Sequence, residues 1–319
     1  MRWRPDPLVT GIIIAMILGL VVTLPQRAHD VFSVVADLSV ATVFLVYGMR
    51  IRTRDVVDGL RNITLQSSVL SATYVLFPIL GFGLGKLVGP WLGTGFATGF
   101  LYLSLLPSTI QSSVTFVSIA RGNVAAAVCA ATISNIVGIF LTPVLVLLFL
   151  HIGGASGDGF MSVFVLLLLP FVLGQLIQPK VGRWWRAHRT LVRVIDNSSI
   201  ILIVFSAVLG ATAAGAWHGV TVWTILLLLG LSGVLLALLL SLTWWGGKLL
   251  GLSREDRIVL LMCGSKKSLA SGLPMAKALF PAGVVGSVIV PVVIFHQLQL
   301  FVCALLARHL ALTGGTTTQ

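Results

Sequence analysis

The sequence predicts an all-α polytopic membrane protein of ten transmembrane helices in two inverted five-helix repeats, with the fourth and ninth helices broken and crossing near the bilayer midplane. Three observations carry this. The chain is 57% apolar and only 9% charged, with a mean hydropathy of +1.05, which leaves too little polar surface for a soluble domain. Ten apolar runs come near the roughly 20 residues that a spanning helix needs. Two of those runs are interrupted at matching places in the two halves, by Pro107–Ser113 (PSTIQSS) and by Gly264–Pro274 (GSKKSLASGLP). Backbone in hydrocarbon cannot go without hydrogen-bond partners, so such breaks persist only when buried in protein or lining a wet cavity. Paired breaks in two halves point to a substrate path.

The spans expected from the apolar runs are 8–25, 32–50, 63–88, 92–121, 123–151, 160–179, 193–214, 220–246, 256–280 and 284–311. None alternates with period two as barrel strands do, so they read as helices. The first run ends in LPQRAHD without a small-residue cleavage site and is expected to be retained. Orientation follows from Lys and Arg, which stay on the cytoplasmic side of short loops. Sixteen of the 21 basic residues fall on one side. They include Arg2 and Arg4, a group at Arg50, Arg52, Arg54 and Arg61, and another from Lys180 to Arg193. The opposite side holds Arg27 and Lys86, and Lys266, Lys267 and Lys277 lie inside the ninth run. Both termini are therefore expected in the cytoplasm, with the protein in the plasma (bacterial inner) membrane. The net charge of +12 needs no nucleic acid to explain it, because Arg-rich loops suit both topology and anionic headgroups.

The halves repeat with a fixed shift. Asp37 opens the second run (DLSVATVFLVYGM), and Asp196 opens the seventh, 159 residues on; the same shift carries Ser113 onto Gly272. Five helices per half is odd, so the second half enters from the opposite side. Asp37 then lies near the outer face and Asp196 near the inner. The expected domains are 1–151 and 160–311, one repeat each, and a polar, disordered tail at 312–319.

Chemistry concentrates at the breaks. The first offers Ser108, Thr109, Gln111, Ser112 and Ser113; the second offers Ser265, Lys266, Lys267, Ser268 and Ser271. Half-helix N-termini favour anions, and the two lysines strengthen that preference. An ammonium inside the bilayer needs an acid, carbonyls, water or an anion. No Asp or Glu lies between Asp58 and Asp158, between Asp196 and Glu255, or after Asp256. The broken helices are thus short of acids, although Asp37 or Asp196 could approach from elsewhere. Adjacent helical residues point about 100° apart, so one lysine is expected to face a cavity and the other to be structural. Lys277 is expected to snorkel to the outer interface.

Other residues receive plainer readings. His296 and Gln299, three apart on one helix face, line a cavity or bond between helices. Trp184–His188 (WWRAH) reads as an interfacial anchor. Cys129, Cys263 and Cys303 have no metal-like spacing and read as small core residues. No metal and no cofactor is expected.

From Pro107 to Pro143, the polar break, the ARGN turn at Ala120–Asn123, the NVAAAV that follows and the LTP at Leu141–Pro143 resemble the bile acid:sodium symporter superfamily. So does the ASGL at Ala270–Leu273. CGSKKSL at Cys263–Leu269 is closer to the branch that contains the seventh member of solute carrier family 10. The resemblance covers nearly the whole chain and implies ten helices, both termini inside, and a core part holding both crossovers. It also implies where a sodium site would be, and there the residues depart. The family's Ser-Asn pair falls on Ser112 and Ser113, two further hydroxyl ligands fall on Ala127 and Ala131, the bridging glutamate on Ser265 and a glutamine on Leu269. A hard cation prefers oxygen ligands, carboxylate above all, so serine beside two lysines disfavours sodium. A residual ion site would draw on Ser112, Ser113, Thr132, Ser134 and Asn135.

The expected function is therefore secondary transport of a small organic anion by alternating access, with sodium coupling weakened or lost and Na⁺ or H⁺ as the possible coupling ion. A sodium-coupled symporter with a rebuilt ion site stays open. So do a membrane enzyme acting on a lipid phosphate, although neither break holds the carboxylate or histidine such chemistry uses, and a regulatory membrane protein. The expected partners are the organic anion and the lipid bilayer.

Overall fold

A computed structural model of the chain describes residues 7–50, 62–150, 164–217 and 220–313. The basic residues Arg2, Arg4, Arg52, Arg54 and Arg61, and the tail from Gly314 on, lie outside the described residues. All regular elements among the described residues are helical. They are α1 (Pro7–Val21), α2 (Gln26–Arg50), α3 (Ile63–Ser71), α4 (Phe77–Leu92), α5 (Thr94–Leu105), α6 (Gln111–Ile119), α7 (Val124–Leu150), α8 (Leu169–Ala187), α9 (Arg189–Ala213), α10 (Val222–Leu249), α11 (Arg254–Gly264), α12 (Leu269–Leu279) and α13 (Ala282–Thr313). A π-helical turn, Ala72–Leu76, joins α3 to α4, and another, Phe164–Leu168, leads into α8.

Among the described residues, seven helices are long and apolar enough to cross a membrane. Of the ten expected spans, α1 has only 15 residues, and two are broken into α5 with α6 and α11 with α12. The breaks are narrower than the polar stretches suggested. They run over Leu106–Ile110 and Ser265–Ser268, and Gln111–Ser113 and Leu269–Pro274 are helical. Short polar side chains do not by themselves stop a helix, and α12 accommodates Pro274 within it. The breaks begin at Leu106 and Ser265, separated by the expected 159 positions.

The chain divides into two compact units, and each draws on both halves of the sequence. Unit 1 comprises 1–52, 147–220 and 273–290; unit 2 comprises 53–146, 221–272 and 291–319. Within unit 1, α2 packs on α8 and α9, and α1 packs on α9. Small residues bring the backbones close. A Cβ at Gly48 would strike the Phe171 carbonyl, and one at Gly174 would strike the Leu45 carbonyl. The Gln175 amide spans the same seam by donating to the Gly48 carbonyl. Trp184, stacked on His188, is 49% exposed.

Asp37 and Asp196, which open the second and seventh apolar runs, are both ion-paired inside unit 1. Asp196 meets Arg50 at 3.6 Å. Asp37 meets Lys277 at 3.2 Å, and Lys277 also donates to Ser33 Oγ at 2.9 Å. The expectation that Lys277 snorkels is therefore corrected: its side chain is only 8% exposed, beside a cavity of about 340 Å³ that Ser33, His29 and Asp30 also line. A buried ammonium needs a partner, and here α2 supplies a carboxylate from a distant part of the sequence.

Unit 2 holds both breaks. Here α11 packs on α3, α6 and α10, and α4 packs on α5 and α10. Its apolar core gathers Leu65, Val69, Phe116, Ala131, Met262 and Cys303 among others. The ARGN turn is a helix stop followed by a start. Arg121 takes a left-handed φ of 60°, and the Gly122 amide donates back to the Val117 carbonyl at 2.8 Å, which closes α6 in a Schellman-type turn. Asn123 then caps α7 by accepting from the Ala126 amide at 3.1 Å. Its own amide group donates to Asp256 Oδ1 at 3.0 Å. The other Asp256 oxygen accepts from Asn62, the cap of α3, so one carboxylate ties two helix starts to the first turn of α11.

Two stability outcomes follow. Asp37→Asn leaves the Lys277 ammonium buried without a counter-charge, whereas Lys277→Met leaves a carboxylate that is 36% exposed and within reach of water. Asp37→Asn is expected to cost roughly 1–3 kcal/mol, and more than Lys277→Met, read as thermal unfolding in detergent; the reverse order contradicts the assignment. Asp256→Ala removes the acceptor for two caps and is expected to destabilise by about 1–3 kcal/mol, measured in the same way.

Candidate functional site

The two breaks are joined by backbone. The Ser268 amide donates to the Pro107 carbonyl at 2.9 Å, and Thr109 Oγ1 donates to the Lys267 carbonyl at 2.8 Å. Ser108 Oγ reaches the Cys263 carbonyl at 2.5 Å, Ser113 Oγ reaches the Met262 carbonyl at 3.0 Å, and Tyr102 Oη reaches the Gly272 carbonyl at 2.6 Å. Short hydroxyl side chains suit this closeness: Ser108 and Ser113 donate to carbonyls left over in the last turn of α11.

α7 latches the crossing with Ser134 and Asn135. Ser134 Oγ accepts from the Ser108 amide at 3.1 Å. The Asn135 Nδ2 donates to the Ser108 carbonyl at 2.5 Å, and its Oδ1 accepts from Ser271 Oγ at 2.8 Å. Ser271 in turn bonds Ser268 Oγ at 2.7 Å. α13 adds a second clasp through Gln299, whose Oε1 accepts from the Lys267 amide at 2.9 Å while its Nε2 donates to the Lys267 carbonyl at 2.8 Å. One side chain thus supplies both partners that a neighbouring strand would. His296 Nδ1 lies 2.8 Å from the same Nε2.

The two lysines have different surroundings. Lys267 is 1% exposed, and its Nζ donates to three carbonyls: Thr73 at 2.8 Å, Ser104 at 2.8 Å and Leu106 at 2.6 Å. The Phe77 ring covers it at 4.0 Å. Each of these carbonyls is free for a local reason. In the π turn the Phe77 amide pairs with Ala72, so the Thr73 carbonyl is next in register for Pro78, which has no N–H. The amide that continues the helix to Ser104 is that of Ser108, already given to Ser134. Leu106 ends α5 with an extended ψ of 156°. Lys266 is fully buried, yet its Nζ has no hydrogen-bond partner among the described residues. It stands 3.9 Å over the Phe116 ring. Ser112 Oγ, one helical turn before Phe116, is also buried without a partner.

The remaining expected residues fall as follows. Ser265 turns its hydroxyl back to the Leu261 carbonyl at 2.5 Å. Gln111 is exposed and Thr132 half-buried, and neither side chain joins the network. Among the described residues no cluster of His, Cys, Asp or Glu could hold a metal, and neither Lys266 nor Lys267 pairs with a carboxylate. The carbonyl partners of Lys267 and the phenols of Tyr74 and Tyr102 were not singled out from the sequence. The phenols left a trace there as polar groups inside apolar runs. The carbonyls left none, because every residue has one.

Apolar helices of spanning length, two of the spans broken and bonded to each other, define an integral membrane protein of the transporter class. The chain belongs to the SBF-like CPA transporter family, within the bile acid:sodium symporter superfamily; the family profile matches residues 6–312. It is 41% identical to the "Putative symporter YfeH" of Escherichia coli over 293 residues, covering 89% of this chain and 87% of that one. An uncharacterized protein of Pseudomonas aeruginosa is 39% identical over 316 residues, covering 97% and 94%. Sodium/bile acid cotransporter 7 of Mus musculus is 26% identical over 284 residues, covering 85% and 82%.

Gln299→Ala strands both backbone groups of Lys267 in a buried site. It is expected to cost roughly 2–4 kcal/mol, more than the neighbouring exposed Phe301→Ala, by thermal unfolding. Equal losses contradict the clasp.

Proposed function

We propose that this protein is a secondary transporter of an organic anion working by alternating access, with its sodium coupling weakened or lost. The Lys266 ammonium carries the reading. It is buried and without a hydrogen-bond partner among the described residues, in a crossing where Ser108, Ser113, Asn135 and Lys267 are engaged. A buried cation in that condition is costly, and an anionic cargo supplies both the charge and the acceptors it lacks. Ser112 Oγ offers a donor on the same helix face as Phe116, and the start of α6 adds partial positive charge.

The reading on sodium rests on what the oxygens already do. Ser134 Oγ, Asn135 Oδ1 and Ser113 Oγ are tied into the crossing, and Ser265, with no carboxylate, turns back on its own helix. An ion site built from them would have to break those bonds. The relatives named as symporters favour a second reading, a sodium-coupled organic anion symporter with a rebuilt site. We further infer ten spans in two inverted repeats, both termini cytoplasmic, and an inner-membrane location, from the charge distribution and from the two breaks in 159-residue register. Among the described residues the crossing holds no carboxylate, and His296 beside it is bonded to Gln299, which supports transport over enzymatic action on a lipid phosphate.

The test is thermal stability of the purified protein against a panel of organic anions, each in sodium and in potassium. A bound anion raises stability; stabilisation equal in both salts is expected, and stabilisation only in sodium overturns the coupling reading. Lys266→Met is expected to abolish the anion effect. Without ligand it is expected to raise stability by about 1–3 kcal/mol, because it removes a buried charge that only a ring face offsets. Unchanged anion stabilisation in this variant overturns the assignment.

A further inference from the structure

The surroundings of Lys267 are those of an ion site. Three carbonyl oxygens converge on one point from the π turn, from the last turn of α5 and from its C-cap, at 2.6–2.8 Å. The Phe77 ring closes one side at 4.0 Å, and the Tyr74 ring lies at 5.8 Å. All donors of the ammonium are taken, and no carboxylate contributes. Neutral carbonyl oxygens arranged in this way suit a single positive charge; divalent sites draw on carboxylates. The oxygens are there whether or not the lysine is, because Pro78, the Ser108 turn and the extended Leu106 leave them unpaired.

We infer that Lys267 is a tethered cation filling a latent monovalent-cation site, so that the crossing carries its own ion and needs none from solution. This deepens the reading that sodium coupling is lost, and rests on it, by naming what stands in the ion's place. A diffusible ion holds a crossing together only while bound, and so links its geometry to ion concentration. A covalently tethered ammonium removes that link. It ties the π turn and the end of α5 to the second break, because its ammonium takes carbonyls from the first two while its backbone, in the third, is clasped by Gln299. Lys266 is then left for the cargo, and the two adjacent cations have separate tasks: one satisfies chain oxygens, the other is left open to an anion.

A protein indifferent to monovalent cations must then acquire a dependence on them by losing one side chain. Lys267→Ala opens the cage and leaves room along the lost stem for a small ammonium. Thermal unfolding of wild type and Lys267→Ala is measured at constant ionic strength in choline, sodium, potassium and methylammonium chloride. The variant is expected to lose about 5 °C or more in choline and to recover a saturable part of it in sodium, potassium or methylammonium, while the wild type shows no shift with methylammonium. If the variant cannot be recovered folded in choline, its recovery when purified in methylammonium or sodium is the supporting result, and failure in all four salts overturns the inference. Equal melting of the variant in all four salts also overturns it. Lys267→Met fills the same space without charge, and melting like wild type would show that the stem alone matters. The wild type's own response to sodium tests the coupling reading, whereas the acquired response of Lys267→Ala tests the cage, so the two fail separately.

Discussion

A backbone that leaves the helix inside hydrocarbon must still find a partner for every N–H and C=O, at several kcal/mol for each one missed. That constraint organises unit 2. Wherever α5 or α11 stops, a donor arrives from another element. Ser268 reaches Pro107, Thr109 reaches Lys267, Asn135 reaches Ser108, and Gln299 takes both backbone groups of Lys267. The polar residues of the breaks, which read as a binding surface when taken one by one, are mostly consumed in holding the breaks open. What they hold in place is the small remainder, Lys266 and Ser112, whose polar atoms are not consumed.

The division of labour between adjacent lysines is a consequence of the same constraint. A turn displaces consecutive side chains, so Lys266 and Lys267 cannot share one environment. The carbonyls freed by Pro78 and by the end of α5 form a polar hollow that only one of them enters. Lys267 is satisfied by neutral oxygens alone, a combination that a chain with no acid between Asp58 and Asp158 can build. Lys266 projects instead over Phe116, where its Nζ has no hydrogen-bond partner among the described residues. A ring face stabilises a cation without discharging its hydrogen-bonding capacity, which leaves the ammonium buried and still able to meet an anion.

Charge in unit 1 is handled differently. Its buried cation, Lys277, meets a carboxylate from α2, and Arg50 at the far end of the same helix meets Asp196. Ion pairs of this kind resist being separated because the desolvated partner is left alone, whereas the close α2–α8 seam at Gly48 and Gly174 is held by shape. The expectation that Lys277 snorkels failed because it considered one helix in isolation. Asp37 lies 240 positions away in the sequence, and only packing brings it within 3.2 Å.

By itself the sequence determined the membrane class, the helical character, the place and spacing of the two breaks, the family, and the shortage of acids that makes the lysines notable. Each of these depends on composition or on local order, which apolar runs, prolines and charge counts report directly. The tertiary structure decided which lysine is consumed and which is left, that Ser134, Asn135 and Gln299 clasp the crossing, and that the breaks are only four or five residues long. Those outcomes turn on carbonyl oxygens, which every residue carries and no sequence distinguishes. A carbonyl becomes a partner only when its own helix fails to use it and another element arrives at the right distance.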